Sequence, residues 1–419
     1  MTTPQTPAQT ATKPLLSPLL LLFLLAMIFA NLGGNMYGAL LPLYLQDLGA
    51  SVTQVGLFFT ISQIIPLALQ ILGGWISDSL GRLRAIAIGS VAGIFTYVFL
   101  LIAPSWQWVL LAMAAGAITG SLIGPSFDAF IAEQSSEHNR ARVFGISQAL
   151  FQIVSVVGPV LGGFLAERMG FRGMLLLAGM FYLAATFIRV GMARAASRAQ
   201  TGEAAPKLTL ASLKSNLSTM FGMLVSGGLI TWILITDGVR DISFALSFNF
   251  MPIYQQEIAG LTLTEIGILN SVFGLFTMLT VIPGGWLSDK KGERIGIMTG
   301  FVLIFVALMM FISVQNFWMF TLAWACAGSG VGLMMPAYQS LISKAVPEKL
   351  RGTAFGLFST SLGIVSLPAP AIGALLWDKV GPWFPFAITA WVSLLSIIPV
   401  WFKFKLPEKA RITEVSNDD

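Results

Sequence analysis

The sequence predicts an all-α membrane protein: twelve transmembrane helices in two six-helix, pseudo-symmetric bundles. Three observations predict it: an apolar composition, long apolar runs laid almost end to end, and an internal repeat. Hydrophobic residues make up 56% of the chain and charged residues 10%, against about 25% charged in a soluble domain. With a mean hydropathy of +0.81, water is not the main solvent. A bilayer core about 30 Å thick needs roughly 20 apolar residues per helix. The first six such runs, spans 1 to 6, lie at 17–46, 52–79, 84–103, 106–133, 141–166 and 172–193. Spans 7 to 12 lie at 221–256, 264–289, 294–314, 316–343, 351–377 and 382–404.

Taken in order, residues 1–14 are a polar cytoplasmic tail and 15–193 the N-terminal six-helix bundle. The apolar run of span 1 is roughly twice a signal-peptide core and lacks a clear cleavage site, so it reads as a retained span. In span 4, Gly116, Gly120 and Gly124 recur every fourth residue, a ladder suited to close helix packing. Residues 194–220 are a polar linker holding Pro206, 221–404 form the C-terminal bundle, and 405–419 are a cytoplasmic tail. Span 7 is long enough to be tilted or bent. The single cysteine, Cys326 in span 10, excludes an intramolecular disulfide and reads as a packing residue.

Orientation follows from charge, because short cytoplasmic loops retain Lys and Arg during insertion. With the N-terminus inside, most of the 24 Lys and Arg fall on inner loops and tails, against Arg168, Arg172 and Lys379 outside. Both termini are therefore expected in the cytoplasm of a cell that carries this chain in its inner membrane. The same asymmetry explains a pI near 9.4 without nucleic-acid binding.

The two bundles repeat each other. Gly73-Gly-Trp-Ile-Ser-Asp78 recurs as Gly284-Gly-Trp-Leu-Ser-Asp289, and Phe144-Gly145 as Phe355-Gly356, both at a spacing of 211. At 210, Pro42-Leu-Tyr-Leu-Gln-Asp47 is matched by Pro252-Ile-Tyr-Gln-Gln-Glu257. A duplication of six-helix units places a binding site near the bilayer midplane, where the halves meet and rock.

The run from Gly73 to Arg84, with Gly74, Asp78, Gly81 and Arg82, resembles the loop signature of the major facilitator superfamily, and Gly285, Asp289 and Gly292 repeat it. Gly74 and Gly285 are suited to close helix contact, Gly81 and Gly292 to tight turns. The resemblance implies that these residues latch the cytoplasmic side when the protein opens outward, with Glu133 as the partner of Arg82. In span 5, Gly158, Pro159, Gly162 and Gly163 resemble the Gly-Pro motif of antiporters in this superfamily, although Val154 stands where the pattern has glycine. Ala369-Pro370-Ala-Ile-Gly373-Ala374 occupies the equivalent place in span 11. The overall pattern is closest to the twelve-helix drug:proton antiporter branch. It departs from that branch by lacking the span 4 arginine ahead of Gly116, where Leu111-Ala-Met-Ala-Ala115 stands instead.

Ionisable groups within spans are costly and so point to function. Asp237, Arg240 and Asp241 fall on one face of span 7. One cation facing two carboxylates leaves an acid in excess that can carry a proton; a purely structural ion pair is the alternative. In the repeat register Asp241 corresponds to Asn31, which shares a face of span 1 with Asn35. Asp128 in span 4 is either a second proton site or a residue at a cavity mouth. Further cavity-lining candidates are Gln148, Gln152, Asn249, Asn270, Tyr338 and Gln339, with Phe244, Phe248 and Trp324 able to stack on an aromatic ligand.

Enzymatic classes find little support. His138 is the only histidine, so neither a metal site nor a Ser-His-Asp set assembles, and no phosphate-binding glycine loop is present. No cofactor and no catalytic residue is expected. The expected partners are a small-molecule substrate, protons as the coupling ion, and the lipid bilayer around a monomer. The leading expectation is proton-coupled efflux of small amphipathic or apolar compounds by alternating access. The alternatives are uptake of a small polar metabolite, with Arg240 binding an anion, and a lipid-handling flippase or non-transporting receptor.

Overall fold

The computed structural model describes residues 16–69, 82–135, 139–197, 229–345 and 363–404. Gly73, Gly74, Asp78, Gly81, His138, Pro206 and Phe355-Gly356 lie outside the described residues, as does most of the linker. All regular structure among the described residues is helical. Nine stretches among them are long and apolar enough to cross a bilayer. One of these, Arg140–Ala195, is 56 residues long, about 84 Å of helix at 1.5 Å per residue, and is broken at Gly170 (φ 73°, ψ 169°). It supplies spans 5 and 6. Leu229–Ser247 and Ala369–Lys379 are the described cores of spans 7 and 11, completing the twelve.

Large apolar side chains cover the outside: Phe187 is 71% exposed, Trp318 74% and Ile282 81%. In water this would be untenable, and in lipid it is the solvated state. Within each half, span 1 packs on spans 5 and 6, span 3 on span 4, span 8 on span 10, and span 9 on spans 10 and 12. The halves meet where span 8 lies on span 5 and span 11 on span 2.

The duplication is visible atom by atom. A Cβ on Gly162 would overlap the Met36 carbonyl, and one on Gly373 the Leu246 carbonyl; 36 and 246 differ by 210, 162 and 373 by 211. Across the halves, Gly267 sits against the Pro159 carbonyl and Gly56 sits 2.6 Å, measured from an ideal Cβ, from the Pro370 carbonyl. The Gly-Pro segments of spans 5 and 11 thus pack backbone to backbone on both sides. Ser51/Gln54 and Thr262/Glu265 form matching capping boxes at the starts of spans 2 and 8. The loops before them turn at Gly49 (φ 86°) and Gly260 (φ 69°), a left-handed conformation that glycine adopts without steric cost.

Spans 1 and 7 keep a 210-residue register to the other half, whereas the following elements keep 211. The extra residue is accommodated by a π-turn, Tyr254–Ile258, since i→i+5 bonding absorbs one insertion into a helix. Leu48 N–H bonds Tyr44 at 3.0 Å, but its counterpart Ala259 N–H reaches Tyr254, one residue further back, at 3.2 Å. The 210 alignment of Pro42–Asp47 therefore fails at its end, where Glu257 corresponds to Gln46 rather than to Asp47. Both helices also break at equivalent points, span 1 at Ala39–Leu40 and span 7 at Phe248–Phe250, just ahead of Pro42 and Pro252.

Two packing expectations are corrected. Among the described residues, an added Cβ on Gly120 or Gly124 meets nothing within 4 Å and one on Gly116 only ordinary contact with Thr96, so these residues form no glycine-ladder interface with any described helix. Gly285 likewise faces open space, and close contact falls to its neighbour Gly284, 2.7 Å from Leu333 Cα when measured from an ideal Cβ. A one-residue step on a helix rotates the position by about 100°, which is why the motif's pattern did not say which glycine touches. Gly292 does turn the chain, with φ 88°. Cys326 is a half-buried free thiol whose Sγ lies 3.4 Å from the Leu303 carbonyl oxygen.

Candidate functional site

A cavity of about 560 Å³ opens between the halves at mid-depth. Its walls show how a duplicated scaffold becomes asymmetric. Span 1 contributes the small Gly34, Gly38 and Ala39, and the equivalent positions of span 7 contribute Phe244, Phe248 and Asn249. Span 1 thereby supplies space and span 7 an aromatic wall, extended by Phe273 and Trp324 of the same half and by Phe59 of the other. Polar groups enter as Asn35, Gln152, Ser155, Asn249, Gln255, Asn270 and Thr277, and no ionisable side chain lines the cavity among the described residues. Pro159 lacks an N–H and so frees the Ser155 carbonyl of its own helix. That carbonyl lies 3.4 Å from the ideal Cβ position of Gly274 on span 8.

Toward the face opposite the termini the cavity is closed by a symmetric set of bonds between halves. Gln46 Nε2 donates to Glu257 Oε1 at 2.5 Å, joining two residues that occupy equivalent positions. The Thr53 hydroxyl donates to Asp378, and Thr264 N–H, at the start of span 8, donates to Glu167 Oε2 at 2.9 Å. Both pairs set a carboxylate at the end of one half against a helix N-terminus of the other, where partial positive charge gathers. Nearer the cavity, Val160 N–H donates to Ser271 Oγ and Ala371 N–H to Thr60 Oγ1, both at 3.2 Å.

The span 7 charges stand apart from the cavity lining. Arg240 bridges both acids: its Nη1 is 3.0 Å from Asp237 Oδ1 and its Nη2 is 2.8 Å from Asp241 Oδ1. The first contact is one of charge without an aligned hydrogen bond. The Arg240 guanidinium also lies 5.2 Å from the centre of the Tyr338 ring on span 10. Asp237 is 5% exposed in its side chain and Asp241 33%, so the cluster runs from the protein interior toward an exposed edge. One cation between two carboxylates leaves the group with net charge −1 when both acids are ionised.

On the terminal face two ion pairs occupy equivalent positions with opposite polarity. Arg82 Nε is 3.4 Å from Glu133 Oε1, tying span 3 to span 4. In the other half Glu293 Oε1 is 3.1 Å from Lys344 Nζ and accepts from Ser340 Oγ at 2.9 Å, tying span 9 to span 10. Asp289 is exposed at the end of span 8.

Of the residues singled out from the sequence, Asn35, Gln152, Pro159, Phe244, Phe248, Asn249, Asn270 and Trp324 line the cavity. Gln148, one helical turn along the same face from Gln152, is exposed and outside the lining, as is Gln339, and Tyr338 lies under Arg240. Asn31 donates to the Met27 carbonyl of its own helix, and Asp128 is exposed on span 4. Gly158 packs on Asn35 and Gly163 on Leu263. Sequence reasoning missed Gln255, the carboxylates Glu167 and Asp378, and Arg189. The 211 spacing of Glu167 and Asp378 was a usable signal for them. Arg189, buried in span 6 at 3% exposure with Nη1 3.2 Å from Ser90 Oγ, was equally visible as a charge within an apolar run.

Comparison with known proteins agrees with this architecture. A family model described as Major Facilitator Superfamily matches residues 23–238 and 233–418, one stretch for each half. The chain is 26% identical over 347 residues to a multi-drug resistance efflux pump PmrA homolog of Lactococcus lactis, covering 80% of this chain and 82% of that one. It is 25% identical to a Na(+), Li(+), K(+)/H(+) antiporter of Planococcus maritimus, over 86% and 90% of the two chains. It is 24% identical to the quinolone resistance protein NorA of Staphylococcus aureus, over 81% and 84%. Among solved structures, a peptide transporter POT superposes with a TM-score of 0.75 at 13% identity, covering 91% and 93% of the two chains.

Proposed function

The chain belongs to the major facilitator superfamily, and on that premise we propose that it is a proton-coupled exporter of small amphipathic or apolar compounds, working as a monomer by alternating access. The reading seats it in the inner membrane with both termini cytoplasmic, as the distribution of Lys and Arg supports. The observation that carries it is the separation of two environments: an uncharged aromatic and carboxamide cavity between the halves, and a charged cluster on span 7 outside the cavity lining. An apolar or amphipathic compound fits the first, and a proton fits the second. Taking up one proton brings the cluster from −1 to neutral, which alters how Asp237 and Arg240 hold span 7 against Tyr338 of span 10. Such a change biases the rocking of the halves, and it needs no contact between proton and substrate.

Relatives named for multidrug and quinolone resistance support export, and one named as an antiporter of cations against protons supports coupling. The want of carboxylates in the cavity lining among the described residues argues against alkali cations as the cargo here. Arg240 is engaged by two acids, so no observation favours anion uptake through it. The deciding experiment is purified protein in liposomes loaded with a pH-sensitive dye, challenged with neutral and cationic aromatic compounds. Antiport moves protons opposite to the compound. Movement in the same direction would replace export by symport, and a silent dye during compound flux would remove proton coupling.

A further inference from the structure

Gln255 is fully buried, lines the cavity, and has no hydrogen-bond partner for either its Nε2 or its Oε1 among the described residues. An unsatisfied carboxamide is expensive in a protein interior, and in native folds it calls for an explanation. Packing does not supply one: in the 210 register the other half carries Leu45 at this position, an apolar residue with 0% exposure. The backbone is special at the same point, because Gln255 lies in the π-turn Tyr254–Ile258, a departure from helix that recurs at functional sites. The neighbouring carboxamides are already committed in part. Asn35 donates to the Asn31 carbonyl at 2.8 Å, Asn270 to Ile266 at 2.9 Å, and Gln152 to Gly274 at 3.3 Å.

We infer that Gln255 is the hydrogen-bonding anchor of the substrate site, and that the substrate class is uncharged aromatic compounds bearing an amide-like edge with adjacent donor and acceptor. This rests on the reading of the central cavity as the substrate site. Phe244, Phe248 and Trp324 offer faces for a flat ring. A carboxamide can give and take one hydrogen bond each, which an amide, lactam or sulfonamide edge returns in kind. A permanent charge would find no counter-charge in the lining among the described residues.

The test uses the full-length protein in detergent and three naphthalenes of matched size: 1-naphthamide, 1-ethylnaphthalene and 1-naphthylmethylammonium. Affinities are measured by scintillation proximity with tritiated 1-naphthamide and by displacement. Comparing wild type and variant in one detergent cancels partition into micelles. Gln255→Met keeps the length and flexibility of the side chain and removes its hydrogen bonds. It should weaken 1-naphthamide about five- to thirtyfold, the worth of one or two neutral hydrogen bonds, and leave 1-ethylnaphthalene within about twofold. Equal change for both probes, no change for either, or a wild type that prefers the ammonium compound would overturn the assignment. Gln255→Leu copies the residue of the other half and serves if the Met variant misfolds; failure of both to fold makes the carboxamide structural and ends the proposal. Because these are binding equilibria, they separate from transport. A protein that anchors 1-naphthamide through Gln255 yet moves no protons keeps this inference and loses proton-coupled export, and the converse result does the reverse.

Discussion

Asp237 and Asp241 share one guanidinium but not one environment, since the first is nearly sealed from solvent and the second a third exposed. If the cluster carries the coupling proton, an amide at either position mimics the protonated acid permanently. Asp237→Asn and Asp241→Asn should each lower gradient-driven transport about 5- to 150-fold, the range of ordinary coupling free energies, and spare downhill exchange of labelled substrate in proteoliposomes. Full pumping by both variants would make the cluster structural. Glycine chemistry gives a second residue-scale expectation. Gly162→Ala and Gly373→Ala drive a Cβ into a backbone carbonyl of the adjacent helix and should cost about 1–3 kcal/mol, as overpacking does. Gly120→Ala and Gly124→Ala meet open space and should be neutral or stabilising by up to about 1 kcal/mol through helix propensity. Thermal unfolding of the four variants in one detergent checks both halves of the statement, and these residues could not have been sorted by spacing alone.

At the scale of elements, the closure opposite the termini rests on spans 2 and 8 starting against carboxylates of spans 11 and 5. Each carboxylate at a helix N-terminus contributes about 0.3–1 kcal/mol when exposed, and Glu167 and Asp378 are both exposed. Glu167→Gln combined with Asp378→Asn should therefore raise the fraction open on that face about three- to thirtyfold, the Boltzmann factor for roughly 0.6–2 kcal/mol. The readout is the rate at which Ser155→Cys, in the cavity wall of a Cys326→Ala background, reacts with an impermeant thiol reagent supplied from that side. An unchanged rate would mean that the remaining contacts, Gln46–Glu257, Val160–Ser271, Ala371–Thr60 and the Gly56–Pro370 and Gly267–Pro159 backbone packing, hold the closure without the two carboxylates.

For the whole molecule, the expected topology is testable without any substrate. In the same cysteine-free background, Asp47→Cys, Arg168→Cys and Lys379→Cys sit on exposed positions of the face opposite the termini, and Lys290→Cys on the terminal face. An impermeant thiol reagent applied to intact cells should label the first three and leave the fourth unlabelled. The opposite pattern would invert the orientation and, with it, turn the sealed face toward the cytoplasm.

The sequence by itself determined the solvent, the number of spans and the duplication. Each of these is written in one dimension: apolar length against bilayer thickness, and identities such as Pro42/Pro252 and Asp78/Asp289 recurring at nearly one spacing. It also held, unread, the pairs Gln46/Glu257 and Glu167/Asp378, which follow from the same arithmetic. Only the tertiary structure decided which side chains share the cavity, because a helix turns about 100° per residue and a single inserted residue resets that phase. The π-turn at Tyr254–Ile258 is such an insertion, and it explains why the repeat reads 210 on one side of it and 211 on the other. It also holds Gln255 at the cavity, where the other half has Leu45. The separation of the Asp237–Arg240–Asp241 cluster from the cavity lining was likewise beyond the sequence, since burial depends on what span 10 brings up against span 7.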